Sequence, residues 1–243
     1  MKIGSHLYRI GNDIVASYLV VTDEGITVID AGLPGHWRDL TRELAVLGRA
    51  LGDVKGVVLT HGDSDHIGFA ERLRAATGVP VFVHSADAAR AKGGDKPPAS
   101  GGRMRLPGVV SFAAYAVRKG AWRTRHLTEV VPVEDGDVLD LPGSPRVIAL
   151  PGHSPGSIAV HVPIADAVAV GDALTTRHVL TGNVGPQPAP FTDEPDLALN
   201  SLERLAGLEA SWVLPGHGAP WRVDPGKVQA AVRARLEPRR PGS

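Results

Sequence analysis

The chain has 243 residues, 43% hydrophobic and 21% charged, with 26 Lys+Arg against 26 Asp+Glu. That length and apolar content can bury a sizeable core, and a net charge of zero gives no global reason to bind nucleic acid or an anionic membrane, a local basic patch being left open. The absence of cysteine excludes disulfides, iron–sulfur clusters and thiol nucleophiles, so any metal must be held by His, Asp or Glu.

The first residues, MKIGSHLYRIG, carry one lysine and no following apolar stretch, so a secretory leader is not expected. No apolar run approaches the ~20 residues of a membrane span. The expectation is a soluble, cytoplasmic protein. Residues 14–21 and 25–30 are β-rich runs joined by Thr22-Asp23-Glu24-Gly25, a hairpin signal. Leu40, Leu44 and Leu47 recur at helical spacing within 37–50. The run 54–59 reads as a buried strand, 67–77 as a helix ended by Gly78, and 79–84 as another strand. Ser85 is placed to cap a short Ala-rich helix.

The polar, Gly/Pro-rich stretch 92–105 breaks this pattern, and a helix is expected around 109–119. Strands resume at 137–141, 146–150, 157–162 and 167–171, and 182–190 reads as a loop. A helix over 193–206, a strand and loop over 212–218, and a closing helix over 227–236 complete the chain. Apolar strands inside and helices outside suggest a four-layer α/β/β/α sandwich. No linker divides the sequence, so 1–243 is read as one domain with an excursion around 92–130.

The strongest chemical signal is Thr60-His61-Gly62-Asp63-Ser64-Asp65-His66, directly after the strand VKGVVL. Four ligand-type side chains within six residues repel and lose hydration unless a cation offsets them. Read blandly, the same loop is a polar helix cap. Three more strand ends carry ligand types: Gly152-His153 after RVIAL, Gly171-Asp172 after AVAV, and Leu214-Pro215-Gly216-His217 after WV. Singly, each suits a satisfied residue in a Gly-rich turn. Together, imidazole and carboxylate suit zinc, and also iron or manganese.

With these motifs the chain resembles the metallo-β-lactamase superfamily, from Val28-Ile29-Asp30-Ala31-Gly32 to Pro215-Gly216-His217-Gly218. The family order is HxHxDH, then GH(S/T)PGS, a GD strand end and a GHG loop. The resemblance implies the α/β/β/α sandwich and two metal ions, zinc or else manganese or iron. It implies His61, Asp63 and His153 on the first metal, Asp65, His66 and His217 on the second, and Asp172 between them. Asp30 corresponds to the family's structural aspartate. One position departs from the pattern: Asp63 stands where the family has histidine. The extra negative charge would make the metal a weaker Lewis acid and shift preference towards manganese or iron.

The implied chemistry is hydrolysis by a metal-bound hydroxide, with Asp65 or Asp172 holding and relaying the proton. A small ester, thioester or lactone is the expected substrate, with no nucleic-acid or membrane partner and no reading of oligomeric state. Two alternatives stand beside it: an iron-dependent oxidoreductase of the same fold, and a metal-binding protein impaired by Asp63. Loops 92–130 and 173–191 are expected to form the pocket. His84 is read as supporting or packing, and His36 as either pocket-lining or a plain loop residue. Arg177 and His178 are candidates for touching an anionic substrate, while His126 belongs to an Arg-rich solvated face and His6 and His161 need no function. Gly152-His153-Ser154-Pro155-Gly156 matches a nucleophile elbow literally, but Pro155 removes the N–H that an oxyanion hole would use.

Overall fold

The computed structural model describes residues 1–94, 96 and 102–236; part of the 92–105 stretch therefore lies outside the described residues. One sheet contains β1 (Leu7–Gly11), β2 (Ala16–Val21), β3 (Ile26–Ile29), β4 (Val54–Val58), β5 (Val81–His84) and β6 (Val131–Val133), in that spatial order. β1, β2 and β3 are antiparallel neighbours, whereas β3 to β6 run parallel. Parallel neighbours need crossovers, supplied by α1 (Trp37–Val46), α2 (Ala70–Thr77), and the pair α3 (Ala88–Ala91) and α4 (Leu106–Arg118).

The second sheet is built from β7 (Arg146–Ala149), β8 (Ile158–Val162) and β9 (Ala167–Gly171), then, after the ribbon β10 (Thr175–Arg177) and β11 (Val184–Gln187) and helix α5 (Pro195–Ser201), β12 (Trp212–Pro215) and β13 (Trp221–Arg222). Its order is β13-β12-β9-β8-β7, with β9 and β12 parallel, and α6 (Val228–Leu236) closes the chain.

Successive strand residues point to opposite faces, and this alternation generates the layers. Tyr18, Val20, Ile29 and Val58 meet Ile158, Val160, Ala167, Ala169 and Leu214 between the sheets. Leu19, Ile26, Val28 and Val57 point the other way, onto Leu40, Leu44 and Leu73 of α1 and α2. On the far side Ala159, Val168, Val170 and Val213 pack on Leu202, Leu205, Val228 and Val232. The result is the expected four-layer α/β/β/α sandwich; each fully buried aliphatic contributes roughly 1.5–3 kcal/mol.

Several local expectations are corrected. Residues 137–141 form no strand; only Val138 bridges to Arg146, because the chain turns back at once through the Ser144 N–H to Leu141 carbonyl bond. The 182–190 stretch is not all loop, since β11 pairs with β10. α2 begins at Ala70 rather than 67, because the Gly68 and Phe69 N–H groups bond the carbonyls of Gly32 and Ala31 instead of a helical turn. The turn at 85–87 is capped by His84 Nδ1, which accepts from the Ala86 N–H, and not by Ser85.

Candidate metal centre

The four ligand-bearing loops leave β4, β7, β9 and β12 and meet at one edge of the two sheets. Glycine is needed where they close on one another. Gly171, at φ +51°, precedes Asp172, and a Cβ there would lie 2.2 Å from Thr60 Oγ1. At Gly216, before His217, a Cβ would lie 2.4 Å from His66 Cε1 and 2.6 Å from Asp172 Oδ1. No side chain larger than hydrogen fits either place.

Three groups of potential ligand atoms result: His61, Asp63 and His153; Asp65, His66 and His217; and His61, His66 and Asp172. Within each group the atoms lie within 4.8 Å of one another. Asp172 Oδ1 is 3.5 Å from His66 Nε2, and its Oδ2 is 3.1 Å from His217 Nε2 and 3.8 Å from His153 Nε2. It therefore sits between the two triads. Asp65 Oδ2 lies 3.5 Å from His217 Nε2, and Asp63 Oδ2 lies 3.5 Å from His153 Nε2.

Hydrogen bonding sets the same tautomer on all four histidines. The Thr60 hydroxyl gives its proton to Asp30 (2.9 Å), so it accepts from His61 Nδ1–H at 3.0 Å. His66 Nδ1–H donates to Asp30 Oδ2 at 2.9 Å. Thr192 donates to the Ala189 carbonyl and therefore accepts from His153 Nδ1–H at 3.2 Å. His217 Nδ1–H donates to the Ile14 carbonyl. With Nδ1–H committed in this way, each ring directs Nε2 at the centre, the atom that metal-bound histidines use, and on His66 and His217 a cation would take the place of the proton that the carboxylates otherwise draw there. Nε2 of His61, His66 and His153, together with Asp172 Oδ1, is buried without a hydrogen-bond partner. Four such orphaned groups around one point fit a bound cation, since unpaired buried polar atoms are otherwise costly.

The electrostatics agree. Burial opposes charge on His66, but the Asp30 and Asp172 carboxylates outweigh it and hold its pKa well above the usual range. His217 is likewise raised by Asp172 against burial. Burial and the two neighbouring imidazoles push His61 well down. Burial disfavours the Asp172 anion, yet His217 and His66 hold its pKa far below the usual carboxylate value. The centre is a set of carboxylates that demands positive charge beside imidazoles that offer lone pairs.

All seven expected ligands thus converge, while the other residues singled out from sequence do not. Asp30 braces the loop, as expected of a structural aspartate. His36 neither lines a pocket nor lies exposed: it is fully buried, with Nδ1 accepting from the Leu33 N–H at 2.9 Å and Nε2–H donating to the Tyr115 hydroxyl at 2.7 Å. His84 lies 3.4 Å from Glu134, outside the three ligand groups. His178 is half-buried near His217, its pKa lowered first by burial, with Nδ1 lacking a partner. Ser154 is no nucleophile, as its hydroxyl donates to Asp87 at 2.7 Å.

Two supporting residues escaped sequence reasoning. Fully buried Asp87 accepts from the Gly62 N–H (2.8 Å), the Gly156 N–H (2.8 Å) and Ser154 Oγ, binding the His61 loop to the His153 loop. Arg90 donates to Asp63 Oδ1 at 2.6 Å and to Asp193 Oδ2 at 2.9 Å, and Lys96 pairs with Asp63 Oδ2. Burial works against the Asp63 anion, but His153, His61 and Lys96 keep it firmly ionised. Nothing in the local sequence of either residue marks it out; only the crossing of distant loops does.

Strand-end imidazoles and carboxylates gathered between two helix-covered sheets define a metal-dependent hydrolase fold. The sequence pattern of the metallo-beta-lactamase superfamily matches residues 10–217, and the chain belongs to that superfamily. It is 31% identical over 202 residues to the probable metallo-hydrolase YflN of Bacillus subtilis, covering 79% of this chain and 75% of that one. Among solved structures it is similar to the metallo-beta-lactamase family protein TTHA1429 of Thermus thermophilus, with a TM-score of 0.69, 25% identity, and coverage of 95% and 79%. It also resembles TTHA1623, solved in a di-iron-bound form, with a TM-score of 0.60, 29% identity, and coverage of 89% and 93%.

Proposed function

We propose that this metallo-hydrolase holds two divalent cations and hydrolyses a small ester, thioester or lactone. His61, Asp63 and His153 hold the first ion, Asp65, His66 and His217 the second, and Asp172 lies between them. The observation that carries this reading is the common tautomer of the four buried histidines, each presenting Nε2 towards Asp172. When bound, the cations supply Lewis acidity, lowering the pKa of water towards ~7 and stabilising negative charge on the electrophile.

The chain's own groups do the rest. Asp65, with 21% of its side chain exposed, is more open to solvent than Asp63 or Asp172 and takes the proton of the attacking water. Asp172 holds that water's other hydrogen and fixes its direction. Arg90 and Lys96 neutralise Asp63, so the first triad carries less negative charge than its ligand types suggest. The loops over 92–130, where described, and over 173–191 are the proposed walls around the substrate.

Zinc is the proposed metal, since imidazole dominates both triads. Iron is the competing assignment, favoured by the carboxylate at position 63 and by the di-iron form of the similar TTHA1623. Metal analysis of natively expressed protein, beside Asp63→Ala and Asp63→His variants, tests the whole reading. The expectation is two equivalents in the parent, about one in Asp63→Ala, and two in Asp63→His, with ester or lactone turnover lost in Asp63→Ala. Less than one equivalent in the parent after reconstitution with zinc, manganese and iron would sink it.

A further inference from the structure

The neutral net charge conceals a segregation. Residues 103–128 contain Arg103, Arg105, Arg118, Lys119, Arg123 and Arg125 and no acidic residue, so the remainder of the sequence carries the balancing excess of acid. Among the described residues, Arg103, Arg105, Arg118, Arg123 and Arg125 have no carboxylate partner; Lys119 alone is paired, with Asp39. Arg118, Arg123 and Arg125 open into a groove of about 1070 Å³ that Arg38 and Arg72 also line.

Between the two basic ends runs α4, whose residues 106–117 carry no charge at all. Its inner face is buried at Gly108 and Tyr115. Leu106, Val110, Ala113 and Val117 recur at i, i+4, i+7 and i+11 and form a stripe on the opposite face. That stripe faces solvent: Leu106 is 76%, Val110 55% and Val117 59% exposed. Trp122, beyond the helix end, is 65% exposed. A helix apolar on both faces is expected to be covered on both. Here the outer apolar face is bracketed by arginines without carboxylate partners and by an exposed indole over which Arg123 lies, the pattern of a helix seated at a lipid–water boundary.

We propose that α4 and its flanks, residues 103–125, dock this protein onto an anionic phospholipid surface. The stripe Leu106–Val110–Val117 and Trp122 enter the boundary between headgroups and acyl chains. Arg103, Arg105, Arg118, Arg123 and Arg125 meet the lipid phosphates. The charge complementarity selects anionic lipid, and the uncharged stripe separates a bilayer from a soluble phosphate, which would not need it. No described helix crosses a membrane; this is attachment from one side. The inference stands whatever the metal centre hydrolyses.

Sedimentation of the metal-loaded protein with phosphatidylcholine vesicles, with and without about 30% phosphatidylglycerol as probe, tests it. Binding is expected only with phosphatidylglycerol, weakening with salt and bringing a blue shift of tryptophan emission that Trp122→Phe removes. Arg123→Glu should weaken binding at least about fivefold, and Val110→Glu should abolish it, both variants keeping the parent's circular dichroism and metal content. Equal affinity for neutral vesicles, no binding to either, or binding untouched by both variants overturns the proposal. So does a dimer, seen by analytical ultracentrifugation, that Val110→Glu dissolves in a protein indifferent to vesicles, or displacement of the vesicles by millimolar pyrophosphate in the Val110→Glu variant and parent alike.

Discussion

His36 is buried as a neutral ring, and its protonation state has a measurable consequence. Burial, aided by the Lys119 charge and opposed in part by Asp39, lowers its pKa from 6.5 to about 4; the neutral ring keeps Nδ1 free to accept from the Leu33 N–H. The unfolded chain takes up that proton first as acid is added. The contribution is therefore complete above pH 6.5 and is lost as pH falls from 6.5 to about 4, amounting to roughly 3 kcal/mol. His36→Gln keeps an acceptor and a donor without titrating. Its urea midpoint should fall less steeply than the parent's between those pH values, and parallel slopes would refute the assignment. His36 shows where sequence stops at this scale: Leu33-Pro34-Gly35-His36 reads as a loop, and nothing local says that Tyr115, 79 positions away, will cover it. The candidate ligands were legible for the opposite reason. His61, Asp63, Asp65 and His66 crowd one strand end, and such crowding has few causes other than a cation.

Between elements, the fit of the loops depends on groups that bind no metal. Asp87 accepts three hydrogen bonds from two loops that arrive from different sheets. Asp87→Ala orphans the buried Gly62 and Gly156 N–H groups, at roughly 1–3 kcal/mol each, and should weaken metal binding about 10–100-fold in a chelator competition. An unchanged affinity would mean that the loops hold their shape without it. The long apolar strands and the amphipathic helices were readable because burial imposes their periods. The short or edge strands β1, β6, β11 and β13 were not: their residues follow neighbours rather than a pattern, as Gly185 and Pro186 within β11 illustrate. The run 137–141 misled in the other direction, since Leu139 and Leu141 are buried as strand residues would be while the backbone turns. Asp87 left no trace because one acidic residue at a helix start has many ordinary explanations.

For the molecule as a whole, the two halves share one inner layer and one candidate site. A cation bound by ligands from both sheets stabilises only the folded chain, by about 2.7 kcal/mol at a free concentration about 100 times its Kd. Chelation should accordingly lower the melting temperature, with His153→Ala reducing that dependence; a melting temperature indifferent to metal would contradict a cation shared across the halves. Leu214→Ala, in the layer between the sheets, should cost about 2–5 kcal/mol, read from the urea midpoint. That layer also works as a ruler. His61 and His66 ride on one sheet, and Asp172 and His217 on the other, so the seating of Val58 with Ala169 and Leu214 in the shared layer sets the gap across the candidate centre. A change of one methyl group in that seam would alter the spacing of the candidate ligands while leaving each of them in place.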